Sequence, residues 1–300
     1  MTTLKPVQDQ VIVITGASSG IGLATAERAA KSGAKLILGA RSKQTLEVIS
    51  EELRGYGTDV LHAVVDVSDR VQVQNLADLA VERFGRIDTW VNNAGVSIYG
   101  RLDEVTDEDS RRLFDVNFWG VVHGSLVVLP HLRRSGGALI NVGSEVSDAI
   151  VPLQGMYSAS KHAVKGFTDA LRVEIEEVDR TPMAITLIQP AAVDTPYPQH
   201  AKNYMAREPK LPTSGIPPER VADAILDAAC NHRRNVKVGF GAVVHTAVAA
   251  FAPGLSDMLA AKQASRQHYD EPPRRPEGTL HAPGETGLAH GSGGVDPSAH

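Results

Sequence analysis

Val11-Ile12-Val13-Ile14-Thr15-Gly16-Ala17-Ser18-Ser19-Gly20-Ile21-Gly22 is the stretch whose reading decides the fold. Its first four residues form an unbroken β-branched run, which suits a strand covered on both faces, as in a parallel sheet. The glycines that follow are spaced GxxxGxG, at Gly16, Gly20 and Gly22, not in the GxGxxG pattern of the common dinucleotide fingerprint. The physics is the same. Without Cβ atoms the backbone turns sharply and comes close to an anion, which then faces free amides and the positive end of the next helix. Ile21 to Lys31 reads as that helix, ended by Gly33. Strand, turn and helix together point to a phosphate cradle with Gly16, Ser18, Ser19, Gly20, Ile21 and Gly22 as candidate residues. An ordinary structural turn is the competing reading.

Outward from this unit the pattern repeats. Strands are expected at 36–38, 60–67, 89–91, 138–142 and 184–188, and helices at 45–53, 71–84, 107–129 and 157–178. Strand–helix alternation over this length predicts one α/β domain with a Rossmann-type, doubly wound parallel sheet. Beyond Pro190 six further prolines fall within residues 191–218, and that segment reads as an irregular loop or substrate lid. A helix at 217–232 and a strand at 236–239 are expected to follow. Residues 241–261 are apolar and Ala-rich, read as a helix packed on the sheet or on a partner subunit, or as a membrane-surface or substrate-covering helix. In residues 263–300, 11 of 38 are Gly or Pro and few large hydrophobes remain. Such a tail is expected to be disordered, because it buries too little apolar surface to offset its ordering entropy.

The 300 residues are 42% hydrophobic and 22% charged, with a net charge of −5. No basic field exists to attract nucleic acid or an anionic membrane. The single cysteine, Cys230, excludes an internal disulfide and a cysteine-based metal cluster, and fits a reducing compartment. The first ten residues lack the apolar core of a signal peptide, and no uncharged apolar stretch reaches membrane-spanning length. The expectation is a cytoplasmic protein with no transmembrane span, no metal and a small-molecule substrate.

Two local features suggest chemistry. At the end of the second strand an acidic residue would hold the 2′-hydroxyl of NAD, whereas an arginine accommodates the 2′-phosphate of NADP. Ala40-Arg41-Ser42 offers a guanidinium and no carboxylate, which favours NADP(H), unless Arg41 is simply a solvated surface residue. Asp66 and Val67, at the end of the third strand, suit contact with adenine, or an aspartate serving a turn. Tyr157 and Lys161 stand four residues apart on a predicted helix and so share a face. A nearby ammonium stabilises phenolate, so the tyrosine pKa is expected to fall from about 10. That would equip Tyr157 as a general acid for a carbonyl oxygen, and a base in reverse.

Taken jointly, Gly16/Gly20/Gly22, Asn92-Asn93-Ala94-Gly95, Ser144 and Tyr157/Lys161 resemble, in order and spacing, the compact short-chain dehydrogenase/reductase family over roughly residues 7–195. The resemblance implies hydride transfer between a nicotinamide and a carbonyl or carbinol carbon, and a homodimer or homotetramer. It implies Tyr157 as acid/base and Lys161 as the group that lowers its pKa and holds the nicotinamide ribose. Ser144 would orient the substrate oxygen, and Asn117 would hold a water in a proton relay. Asn93, Ala94 and Gly95 would line the cofactor cleft. Pro190, Val193 and Thr195 match a PGxxxT segment that holds the carboxamide, although Ala191 replaces its glycine and puts the local backbone path in question. Ile150, Val151, Leu153, Tyr197 and Met205 suggest a lining for an apolar substrate. Isomerase or lyase chemistry, or a non-catalytic nucleotide sensor, are the alternatives on the same fold.

Overall fold

The computed structural model describes residues 4–284 and 287–291. Its chain order is β1 (Val11–Thr15), α1 (Gly20–Lys31), β2 (Lys35–Ala40), α2 (Lys43–Arg54), β3 (Val60–Val64), α3 (Arg70–Phe84), β4 (Thr89–Asn92) and the two-residue β5 (Ile98–Tyr99). There follow α4 (Asp107–Phe114), a π-helical turn at Asp115–Trp119, α5 (Gly120–Ser135), β6 (Ala138–Val142), α6 (Gly155–Arg172) and β7 (Ala184–Pro190). The last elements are α7 (Tyr197–His200), β8 (Lys202–Asn203), α8 (Pro218–Cys230), β9 (Asn235–Val238), α9 (Phe240–Phe251) and α10 (Pro253–Gln263).

Seven strands form one parallel sheet in the order β3-β2-β1-β4-β6-β7-β9. Every residue of β1 is buried, as its apolar run predicts. Alternate residues feed opposite faces of the sheet. Ile12 and Ile14 pack with Leu23, Leu46 and Ile225 on one side, and Val11 and Val13 with Val73, Leu76 and Leu132 on the other. Each such side chain stabilises the fold by about 1.5–3 kcal/mol. The strand order reverses between β1 and β4, and ligands of open α/β sheets bind beyond the carboxyl ends of the strands at such a switch.

Local chemistry sets the helix ends that frame this point. Ser42 accepts a hydrogen bond from Thr45 N at 3.4 Å to start α2, and Asp69 accepts from Val71 N at 2.8 Å to start α3. By contrast, Ser19 makes no side-chain cap at the start of α1. The continuous helix 107–135 is, among the described residues, long and apolar enough to cross a membrane by length and composition alone. Its Val127, Val128 and Leu132 are part of the core.

The C-terminal third departs from expectation. The segment after β7 carries α7 and β8, the latter paired with β5. The apolar stretch 241–261 is broken at Pro253 into α9 and α10, which bury small residues such as Ala242 and Ala260 and leave Phe240 and Phe251 exposed. The tail differs most. Where residues 263–300 are expected to be disordered, the described part is packed: Gln267 and Leu280 are fully buried, and Asn203 N and Tyr269 N bond to Pro276 O and Glu208 O at 2.7 and 2.8 Å. Backbone hydrogen bonds to the 200–210 segment supply what the composition lacks in apolar area. Residues 285–286 and 292–300 lie outside the described residues.

Candidate active site

The carboxyl ends of β1 and β4 are tied by one hydroxyl. Thr15 Oγ1 donates to Val91 O at 3.2 Å and accepts from Asn93 N at 3.1 Å. Asn93 Nδ2 donates to Thr15 O and Gly16 O at 3.0 and 3.1 Å. Two glycines are required here. Gly16 has φ +67° and a Cβ on it would stand 2.7 Å from Ala94 Cα, while one on Gly22 would stand 2.2 Å from Gly16 O. The glycine at position 22 thus answers to the turn itself, and Gly22 is buried beneath the cleft. Asn92 is structural: it accepts from Trp90 Nε1 at 2.7 Å and donates to Asn141 Oδ1 at 2.9 Å and Ser125 Oγ at 3.1 Å.

One cleft runs from this turn in two directions. Toward β2 and β3 it is lined by Gly16, Ser18, Ser19, Gly20, Ile21, Arg41, Asp66 and Val67, with Asn93, Ala94 and Gly95 on its floor. Toward β6 it continues past Ile21, Asn93, Gly95 and Thr195 to Ser144, Tyr157, Lys161, Pro190 and Val193. Of the residues expected to bind coenzyme or act in catalysis, only Gly22 and Asn117 do not line it. The donor set suits a dinucleotide: α1 presents an uncapped first turn, whose amides have no intrahelical partner, and Arg41 supplies a cation.

Asp66 takes the turn role offered for it. It lines the cleft and also closes a turn, accepting from Ser68 N at 3.0 Å and Ser68 Oγ at 2.7 Å. Burial alone would raise its pKa, but Arg112 and Ser68 outweigh that and hold the carboxyl below its ordinary range. Arg112 Nη2 reaches Asp66 Oδ2 at 2.5 Å. This second guanidinium escapes sequence reasoning because its helix position, 46 residues beyond Asp66, carries no motif. Burial lowers the pKa of Arg41, and Arg41 Nη1 donates to Leu280 O at 3.2 Å, with Nη2 bonded to Thr279 O.

At the other end, Tyr157 and Lys161 sit on α6, with Lys161 4% exposed. Lys161 Nζ donates to Val142 O at 2.9 Å and lies 5.7 Å from the Tyr157 ring centroid. The expected fall of the tyrosine pKa is therefore corrected. Burial pushes Tyr157 up to about 12, opposed by the Ser144 and Tyr197 hydroxyls and reinforced by Glu145. Lys161 itself is lowered to about 8 by burial. For Tyr157 desolvation is the largest cause, while the Lys161 ammonium donates to a main-chain carbonyl.

Asn117 lies in the π-helical turn, fully buried. Its side chain accepts from Val96 N at 2.8 Å and donates to Val96 O at 3.0 Å and Ser160 Oγ at 3.1 Å, so both amide hydrogens are committed. A Cβ on Gly95 would stand 3.4 Å from Asn117 Oδ1 and 3.9 Å from Lys161 Nζ, which locates both groups under one stretch of cleft floor. Ala191 resolves the doubt about its segment. Its φ is not positive, and its N–H bonds to Val238 O at 2.9 Å, so the backbone here does not require a glycine.

Tyr197 stacks edge-on against Tyr157, ring centroids 5.4 Å apart. Its hydroxyl bonds to Ser97 Oγ and Gln154 Oε1, each at 2.7 Å, and Gln154 Nε2 donates to Gln267 Oε1 at 2.7 Å. Val151, Leu211 and Pro212 complete the apolar lining, beside Glu145. Ile150, Leu153 and Met205 do not line it: Ile150 is exposed, and Leu153 adopts φ 65° in a turn whose carbonyl accepts from Gly100 N.

Fold and site together define an oxidoreductase built on a dinucleotide-binding sheet. The short chain dehydrogenase family profile matches residues 10–205. The chain is 43% identical over 276 residues to the uncharacterized oxidoreductase YxnA of Bacillus subtilis, covering 91% of this chain and 77% of that one. It is 39% identical over 206 residues to 11-beta-hydroxysteroid dehydrogenase A of Sesamum indicum, covering 68% and 58%. An alcohol dehydrogenase of Thermococcus sibiricus, complexed with 5-hydroxy-NADP, superposes with a TM-score of 0.68 at 30% identity over 76% of this chain and 95% of that one. A Burkholderia phymatum short-chain dehydrogenase/reductase in complex with NAD gives 0.75 at 29% identity over 85% and 96%. The chain belongs to the short-chain dehydrogenase family and is an oxidoreductase acting on CH–OH or C=O groups.

Proposed function

We propose that this protein is an NADP(H)-dependent oxidoreductase that interconverts a carbonyl and a secondary alcohol on a small apolar molecule, with Tyr157 as general acid/base. The observation that carries this reading is the placement of Tyr157, Ser144 and Lys161 at one end of the cleft that runs past the glycine turn. When bound, the dinucleotide supplies or accepts a hydride at its nicotinamide. Ser18, Ser19 and Ile21 hold its phosphates, Pro190, Val193 and Thr195 its carboxamide, and Lys161 its ribose. Ser144 orients the substrate oxygen. Tyr157, with a pKa pushed up to about 12, stays protonated at neutral pH and donates its proton to that oxygen in the reducing direction; in the oxidising direction it must first lose the proton, which favours alkaline pH. Asn117 supports the relay from behind the floor.

The choice of NADP(H) rests on charge. Two guanidiniums, Arg41 and Arg112, meet one carboxylate, Asp66, at the adenosine end, and that surplus suits a 2′-phosphate. Val151, Leu211 and Pro212 support an apolar substrate, the class to which the sesame relative's name also belongs. We place the protein in the cytoplasm, as a homodimer or homotetramer. The test is a panel of ketones and secondary alcohols followed at roughly 340 nm with both coenzymes. At least one apolar member should turn over, with kcat/KM higher for NADPH than for NADH. Equal use of the two coenzymes would contradict the cofactor assignment.

A further inference from the structure

The described part of the tail meets the cleft at its adenosine end. Thr279, Pro283 and Gly284 line the same cavity as the glycine turn. Leu280 is fully buried in the cluster that holds Val67 and Val116. Around it the main chain is fastened at several points. Arg112 Nε donates to Leu280 O at 3.2 Å while its Nη1 donates to Ser68 Oγ at 2.7 Å. His281 Nε2 pairs with Asp109 Oδ1 at 2.6 Å, and Thr279 N donates to His200 O at 2.7 Å. Further on, Gly20 N at the head of α1 donates to Leu288 O at 2.9 Å.

We infer that residues 279–284 are a binding element of the coenzyme cleft: a wall, bolted to Arg41, Arg112 and Asp109, that closes the adenosine end and fixes Arg41 for a phosphate. Two observations favour a wall over a plug. The cavity persists between this segment and the glycine turn, bounded by both. The guanidinium of Arg41 has five N–H donors, and the carbonyls of Thr279 and Leu280 take one from each terminal nitrogen, which holds the plane still and leaves donors for an anion. Gly20 N is engaged by Leu288 O, so the phosphate contacts fall to Ser18, Ser19 and Ile21, which line the same cavity. A side chain already immobilised loses less freedom on binding, and a coenzyme beneath the segment leaves only when the segment lifts.

The inference rests on reading this cleft as the dinucleotide site, and the experiment separates the two. NADPH and NADH are titrated by fluorescence into the full chain, a chain ending at Glu277, and H281A, with dissociation rates by stopped flow. The truncation is expected to raise the Kd for NADPH about tenfold or more, and H281A about threefold, through faster dissociation, with a smaller effect on NADH. Unchanged or tighter NADPH binding by the truncated chain, beside normal binding by the full chain, overturns the wall and leaves the cleft standing. Failure of the full chain to bind either coenzyme overturns both. Should the truncated chain not fold, hydrogen exchange on the full chain decides: NADPH is expected to increase protection of the amides of 279–284, and no change overturns the inference.

Discussion

Residues 11–178 and the described residues of 191–291 build facing walls of one cleft by different means. The first wall works through side chains, and through missing ones. A turn that a Cβ would block, a threonine that ties two strand ends, and a tyrosine and lysine one helical turn apart each demand a residue type at a set spacing. The second wall works largely through its main chain. The carbonyls of Thr279, Leu280 and Leu288 bond to Arg41, Arg112 and Gly20, and any residue but proline carries the same N–H and C=O. Motifs record the first kind of wall. The second leaves little trace in composition.

Arg41 is where the two walls meet, so it gives the largest effect short of chemistry. R41A should cut the preference for NADPH over NADH by about ten- to a hundredfold, the worth of charge-assisted hydrogen bonds of about 1.5–3 kcal/mol. The readout is the ratio of the two kcat/KM values, and an unchanged ratio would return Arg41 to the role of a structural anchor for the tail. Asn92 sharpens the comparison from within the first wall. It sits among four motif residues but its side chain joins β4 to β6 and α5, away from the cleft. N92A should therefore lower unfolding free energy by about 1–3 kcal/mol in denaturant titration while KM for the coenzyme stays put. A rise in KM with unchanged stability would make it a site residue.

The parallel sheet and most of the first wall were legible in the sequence. The run 11–14 could be covered on both faces, and it is; residues of GxxxGxG and YxxxK line one cleft. What eluded the reading has physical reasons. The direction of the Tyr157 shift is set by burial of the phenol, and a spacing of four fixes a shared face, not how deeply that face is covered. Arg112 and Leu211 enter the site by tertiary approach, from a helix and a proline-rich segment with no periodicity to follow. The tail misled through its Gly and Pro content, because composition counts the apolar area a segment can bury but not the partners its backbone can find.

The claim beneath the whole account is that the Tyr157 phenol delivers the proton. Its most direct test is Y157F, measured for NADPH affinity by fluorescence and for single-turnover hydride transfer on a substrate accepted by the wild type. The account predicts unchanged coenzyme affinity and a transfer rate lower by about a hundred- to ten-thousandfold. Transfer at the wild-type rate, with coenzyme bound normally, would contradict it.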